Sequence, residues 1–219
     1  ESDSIMSKLS ANYTLTRGES LQIKENISSA AITTSFWGVK MSDLVKAQQT
    51  YTDELGRSVI FTEQNMINLA KMGVATGIGV EGASQLAASY EKFGINVDST
   101  SDRIENLMKL SKSNGLSASV LTKRLMENIK IANSYTFKNG LDGLNKTLVY
   151  AEKLKVNMST IATLADKISS PEGAIETGAA LQVLGGSFAN MGDPLRLLNQ
   201  GLNDMEGLTE TYSKMLKGI

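Results

Sequence analysis

The sharpest chemical pattern in the chain is Gly77-Ile-Gly79-Val-Glu-Gly82, which matches the G-x-G-x-x-G fingerprint of dinucleotide-binding turns. Asp98 follows at a tolerable distance for a ribose-binding acid. The fingerprint works only when a buried strand runs directly into the first glycine, so that the next helix presents its N-terminus to the pyrophosphate. Here the residues from Thr62 to Met72 carry a helical pattern, leaving only Gly73-Val-Ala-Thr76 for a strand. The same kind of junction recurs at Gly94 and Gly115 without any fingerprint. Nor does any glycine-rich run end in Gly-Lys-Ser/Thr. Asn203-Asp-Met-Glu206-Gly207 lacks the calcium-loop pattern, and no carboxylate pair sits in a recognisable glycosidase setting. The chain has neither histidine nor cysteine. The commonest general base, the commonest metal ligand and the thiolate nucleophile are thereby removed. The expectation is a non-enzymatic protein with no catalytic, cofactor-binding or metal-binding residues, and with no cofactor.

The 219 residues are enough for one large or two small domains. Hydrophobic residues make up 41% and aromatic residues only 5%, so Leu, Ile, Val, Met and Ala must build the core. The net charge of −1 hides an asymmetry. Residues 103–155 hold ten Lys or Arg against four acids, a net +6 that leaves −7 elsewhere. Such a run is ordinarily a solvated helix face; the functional reading is a weak contact with DNA, although no aromatic residues are interleaved to stack bases. No apolar stretch approaches 18 residues, so no stable membrane span is expected. The chain begins at Glu1 without a methionine, and it is expected to be a piece of something longer.

The elements that would position any function are announced by a recurring junction. It reads Gly38-Val-Lys-Met-Ser42, Gly77-Ile-Gly-Val-Glu81, Gly94-Ile-Asn-Val-Asp98 and Gly115-Leu-Ser-Ala-Ser119, with Lys155-Val-Asn-Met-Ser159 as a glycine-less variant. The glycine suits the left-handed residue that closes a helix, the apolar pair tucks the link onto the core, and the polar residues cap the next helix. Successive junctions start 39, 17, 21 and 40 residues apart, roughly one helix plus one link or twice that. The fold class expected is all-α: an array of roughly eight to ten short antiparallel helices with no significant sheet. Val59-Ile60-Phe61 is the best strand-like run, and it is too short. Residues 1–37 are expected to form an extended or partly helical anchoring segment, and residues 38–219 a helical domain.

Apolar stripes support the helices: Leu44, Ala47 and Tyr51; Met66, Leu69 and Ala70; Leu86, Ala87 and Tyr90; Ile104, Leu107 and Ser111; Leu141, Leu144, Leu148 and Ala151. Ser42, Ser99 or Ser101, Ser117 and Ser159 are the expected caps. Pro171 fits a first helical turn, and Leu195, Leu198 and Leu202 form the stripe of a late helix. The densest local signature lies between, from Leu181 to Arg196. Gly185-Gly186 should end one helix and Asp193-Pro194 should start the next. Phe188 and Met191 stand in a polar setting within this link and are the expected outward contact. Trp37 is expected to anchor the N-terminal segment and is the third candidate interaction residue.

Two features resemble internal structural proteins of large tailed bacteriophages, notably tail tape-measure proteins. One is the repeated Gly-apolar-x-apolar-polar junction followed by Ala- and Leu-rich helices, as in Gly77 to Phe93. The other is an Ala- and Leu-rich helix leading to Leu-x-Gly, then Asn, then Gly-Asp: here Ala179 to Gly185, Asn190 and Gly192-Asp193. The resemblance covers about residues 38–210. The chain departs from the family in having short capped helices rather than a long heptad seam. What the resemblance implies is a compact helical virion module acting in tail assembly and genome delivery, located in the phage tail or capsid interior and in the host cytoplasm during assembly. Its implied partners are tail tube, baseplate or portal-proximal proteins and further copies of itself as a homo-oligomer. The alternatives are an ejected internal or cargo protein of a short-tailed phage and a cellular helical adaptor domain.

Overall fold

Helix ends in this chain are fixed by a small set of backbone hydrogen bonds, and the helices between them are short. The structure, a computed structural model, describes Ser4, Ser7 and residues 10–217. The remaining positions of the expected 1–37 segment lie outside the described residues. Among the described residues there is no strand, and the fold is all-α. Twelve α-helices run from Arg17 to Lys217. They exceed the eight to ten expected because the late third is cut more finely than its apolar spacing suggests.

The chain forms two compact units, Glu1–Met126 and Glu127–Ile219. The first holds α1 (Arg17–Thr34), α2 (Met41–Leu55), α3 (Glu63–Thr76), α4 (Gly79–Glu91), α5 (Val97–Ser113) and most of α6 (Ala118–Asn128). Helix α3 is its centre and packs on α1, α4 and α5, while α2 packs on α4. Thr16 caps α1 in a reciprocal box with Glu19, and Ile23, Ile27 and Ala30 of α1 are buried. The segment before residue 38 thus contributes a core-forming helix to the first unit. The second unit holds α7 (Gly140–Leu154), α8 (Met158–Ile168), α9 (Pro171–Leu184), the short α10 (Gly186–Ala189), α11 (Pro194–Asn203) and α12 (Met205–Lys217). Its main pairings are α7 with α12, α8 with α11 and α9 with α11. Residues 38–219, expected as one helical domain, are divided between the two units.

The recurring junction has a definite geometry. At Gly94 and Gly115, φ is 76° and 68°, and the following apolar residue donates its N–H five residues back in the Schellman pattern: Ile95 to the Tyr90 carbonyl at 3.1 Å and Leu116 to that of Ser111 at 2.9 Å. Lys155 adopts φ 55° without being glycine, and Val156 completes the same bond to Ala151 at 2.9 Å. A β-carbon in this region costs about 1–2 kcal/mol, so the motif is strong enough to hold a lysine there. The caps fall earlier than the sequence pattern suggests. Asn96, not Ser99 or Ser101, caps α5, its Oδ1 accepting the Ser99 N–H at 2.8 Å. Lys40 and Asn157 likewise occupy the cap positions expected at Ser42 and Ser159. The second apolar residue of each of these junctions is therefore already the first helical residue. The link can be this short because one Schellman turn satisfies the outgoing carbonyls while the next residue begins the new helix.

Most expected stripes are buried, including Leu44, Ala47, Tyr51, Met66, Leu69, Leu86, Tyr90, Ile104, Leu107, Leu144 and Leu148. Several interior hydroxyls donate within their own helices: Thr76 to the Met72 carbonyl, Ser111 to Leu107 and Thr147 to Gly143. The run Val59-Ile60-Phe61 lies between α2 and α3 and pairs with side chains rather than with a strand. Gln48 is fully buried; its Nε2 donates to the Val59 carbonyl at 2.6 Å and its Oε1 accepts the Phe61 N–H at 3.2 Å. Asn26 Nδ2 donates to the Phe61 carbonyl at 2.7 Å.

Candidate functional site

The link from Gly185 to Pro194 is built by two helices that approach through backbone. Ser170 caps α9, accepting the Gly173 N–H at 3.1 Å, and Pro171 takes the first turn. Helix α9 ends at Gly185, whose φ of 70° and ψ of −171° lie in a region open essentially to glycine alone. Gly186, at φ 57°, opens α10. Gly178 and Gly192 then face each other so closely that a β-carbon on Gly178 would stand 2.7 Å from the Gly192 carbonyl oxygen. Gln182 Nε2 donates to that same oxygen at 3.3 Å. Asp193 Oδ1 accepts the Leu195 N–H at 3.0 Å, and Pro194 begins α11. Phe188 and Met191, the expected outward contacts, are both half-buried, so each packs on its own unit while keeping part of its surface in solvent.

The most exposed large apolar side chains of the second unit lie on the two helices that flank that link. Val183 is 87% exposed, Leu195 78%, Leu184 66% and Ile175 58%, with Leu202 also exposed. Ile175, Ala179 and Val183 follow one another at i, i+4 and i+8, on one outward face of α9. The expected inward stripe of α11 is corrected here. Leu195 and Leu202 are exposed, whereas Leu197 and Gln200 are buried. The phase is set by close packing on α8: a β-carbon on Gly201 would lie 2.8 Å from Ile168 Cγ1. One signal of the outward face was present in the sequence. Between Ala174 and Leu184, α9 has Ala, Ile, Leu or Val at seven positions, more than one buried side can take.

In the first unit, Trp37 ends the 3-10 turn Ser35–Trp37 and is 40% exposed. It lines an open cavity of about 430 Å³ with Val39, Asp43, Lys46, Gly79 and Glu81. The glycine fingerprint therefore borders a hollow, but α3 runs to Thr76, so a helix stands where a dinucleotide turn requires a strand. Gly77 and Gly79 have φ of 71° and 75°, and α4 starts at Gly79 with no side-chain cap. The arrangement is a tight helix–helix turn, not a strand-to-helix phosphate cradle.

The basic stretch 103–155 runs through both units. Within it, Lys109 pairs with Glu105 at 2.8 Å and Lys146 with Glu206 at 3.0 Å, and Lys155 contacts Glu152. The hydrogen bond and charge of Glu206 hold the Lys146 ammonium above its usual range. Burial, with Glu91 nearby, pushes the Tyr51 phenol well above the usual tyrosine range. No group of three or more His, Cys, Asp or Glu side chains suited to a metal ion occurs among the described residues. No helix among them is long and apolar enough to cross a membrane. Compared with known protein families, curated proteins and solved structures, the chain has no match.

Proposed function

We propose that this chain is a non-enzymatic structural module of a bacteriophage virion, of the tail tape-measure kind, that works by assembly in building the tail and delivering the genome. The observation that carries this reading is the outward apolar surface of α9 and α11, with Ile175, Val183, Leu184 and Leu195 largely in solvent. Side chains of this kind grouped on neighbouring helices mark a surface meant to be covered. The repeated junctions and the Ala179 to Asp193 pattern supply the virion reading. The partners proposed are tail tube, baseplate or portal-proximal proteins and other copies of the chain, with the basic 103–155 stretch making weak contact with DNA. Its place is the virion, after assembly in the host cytoplasm.

The assembly surface is tested by sedimentation velocity. The unmodified chain should sediment faster as its concentration rises through the micromolar range. Ile175→Lys with Val183→Lys should remain monomeric with unchanged helicity, because exposed substitutions ordinarily shift stability by no more than about 0.5 kcal/mol. A chain that stays monomeric at near-millimolar concentration would remove self-assembly from the proposal.

A further inference from the structure

The start of α7 is tied to α12 by one side-chain amide. Asn139 and Gly140 are both exposed, and Gly140 has φ 56°, a conformation that suits glycine. Asn139 Nδ2 donates to Glu206 Oε2 at 2.8 Å. The partner is a carboxylate, so the nitrogen of the amide must face it. The other oxygen of Glu206 accepts from Lys146 Nζ at 3.0 Å, and the Glu206 side chain is only 17% exposed. The Met205 N–H donates to the Thr136 carbonyl at 3.0 Å beside this contact. We propose that Asn139 is a site of self-modification, and that its conversion to a carboxylate releases α12 from the start of α7.

The chemistry needs only the chain and water. The Gly140 backbone nitrogen attacks Asn139 Cγ. A bond forms between them as the bond from Cγ to Nδ2 breaks, and the proton of the Gly140 nitrogen leaves with the amide as ammonia. The product is a five-membered cyclic imide. Water then adds to one of its two carbonyl carbons and breaks that carbon's bond to nitrogen. Opening at Cγ gives aspartate. Opening at the backbone carbonyl gives isoaspartate, in which the main chain runs through the side chain. Glycine favours the attack because no side chain shields its nitrogen. In the folded chain ψ of Asn139 is 26°, which turns the Gly140 nitrogen away from Cγ, and the Gly140 N–H donates to the Phe137 carbonyl at 2.9 Å. Cyclisation therefore waits for this turn to open, and an exposed link opens more readily than the helices it joins. Both products place a negative carboxylate where the amide used to donate. The contact with Glu206 becomes one between like charges at a largely buried carboxylate. Reclosing is then opposed, which makes the release one-way.

The chain has a second Asn-Gly pair, Asn114-Gly115. Asn114 is half-buried and its Nδ2 donates to the Leu110 carbonyl at 2.8 Å. Gly115 and Leu116 close the end of α5 through their N–H groups, so reaching the attacking geometry there means unwinding that end. Asn139 should react faster than Asn114.

The test is to age the full chain at neutral pH and follow both sites by peptide mapping, with amide hydrogen exchange reporting on α12. Aspartate and isoaspartate should accumulate at 139 ahead of 114. Exchange in α12 should become several-fold faster in the aged chain and in fresh Asn139→Asp, but not in aged Asn139→Gln, whose longer amide cyclises far more slowly. The effect of Asn139→Asp should shrink when Glu206→Gln is already present, because an amide at 206 can donate to the new carboxylate. Conversion at 114 with 139 unchanged would overturn the assignment of the site. Unchanged α12 exchange in Asn139→Asp, or an equal effect of that substitution with Glu206→Gln, would overturn the release of α12.

Discussion

Gly73→Ala should destabilise the first unit by about 2 kcal/mol, and Gly73→Val by about 3 kcal/mol or more, through overpacking at a site that cannot relax. Gly73 is buried in α3, directly beneath the turn into α4. A β-carbon there would press on the carbonyl of Gly79 and stand 2.8 Å from the backbone nitrogen of Val80. Those are backbone atoms held by the start of α4, and no rotamer change moves them away. Helix propensity works the other way, since alanine is better than glycine by about 1 kcal/mol inside a helix. Steric conflict should win here and lose where space is open. At Gly18, in the first turn of α1, the nearest atom to an added β-carbon is Thr16 Oγ1 at 4.0 Å. Gly18→Ala should therefore raise stability by about 0.4–1 kcal/mol. Urea denaturation of the three variants gives the comparison. Equal behaviour of Gly73→Ala and Gly18→Ala would mean that α3 and α4 are not in contact through Gly73.

The second large effect is at Gln48. Replacing it with leucine keeps the volume nearly constant and strips two partners from the α2–α3 link. The Val59 carbonyl loses its 2.6 Å donor, and the Phe61 N–H loses its 3.2 Å acceptor. Each buried polar group left unsatisfied costs about 1–3 kcal/mol, so Gln48→Leu should destabilise by about 3 kcal/mol. Phe61 is also the ring partner of Tyr51, with centroids 4.5 Å apart, so any shift of the link reaches the aromatic core. The same denaturation measurement applies. Stability within about 0.5 kcal/mol of the unmodified chain would contradict the role given to this side chain.

These two residues mark the limits of what the sequence discloses. Helices and their breaks were legible because glycines at fixed offsets and apolar stripes report local geometry, as at Gly94, Gly115 and the Leu69 face. Gln48 was not legible: a buried glutamine has no local signature, and its partners lie eleven and thirteen residues away. Gly73 reads as an ordinary helix weakener until α4 is folded against it. The caps were read too late at Asn96 and Asn157 because the pattern offers two polar positions and only the backbone phase selects between them. The phase error at Leu195 and Leu202 had a similar origin. Leu195, Leu198 and Leu202 have helical spacing, but so do Leu197 and Gly201, and packing on Ile168 chose the latter. Phe188 and Met191 directed attention to the right link, while the most exposed surface lies on the helices flanking it.

The central claim is that the chain is part of a virion, and the most direct measurement is quantitative mass spectrometry of purified phage particles from the source whose genome encodes it. The account predicts peptides spanning both units, including the α9 segment, at a fixed ratio of several copies per particle. Particles that are complete and infectious without this chain, with the chain left behind in the lysate, would contradict it.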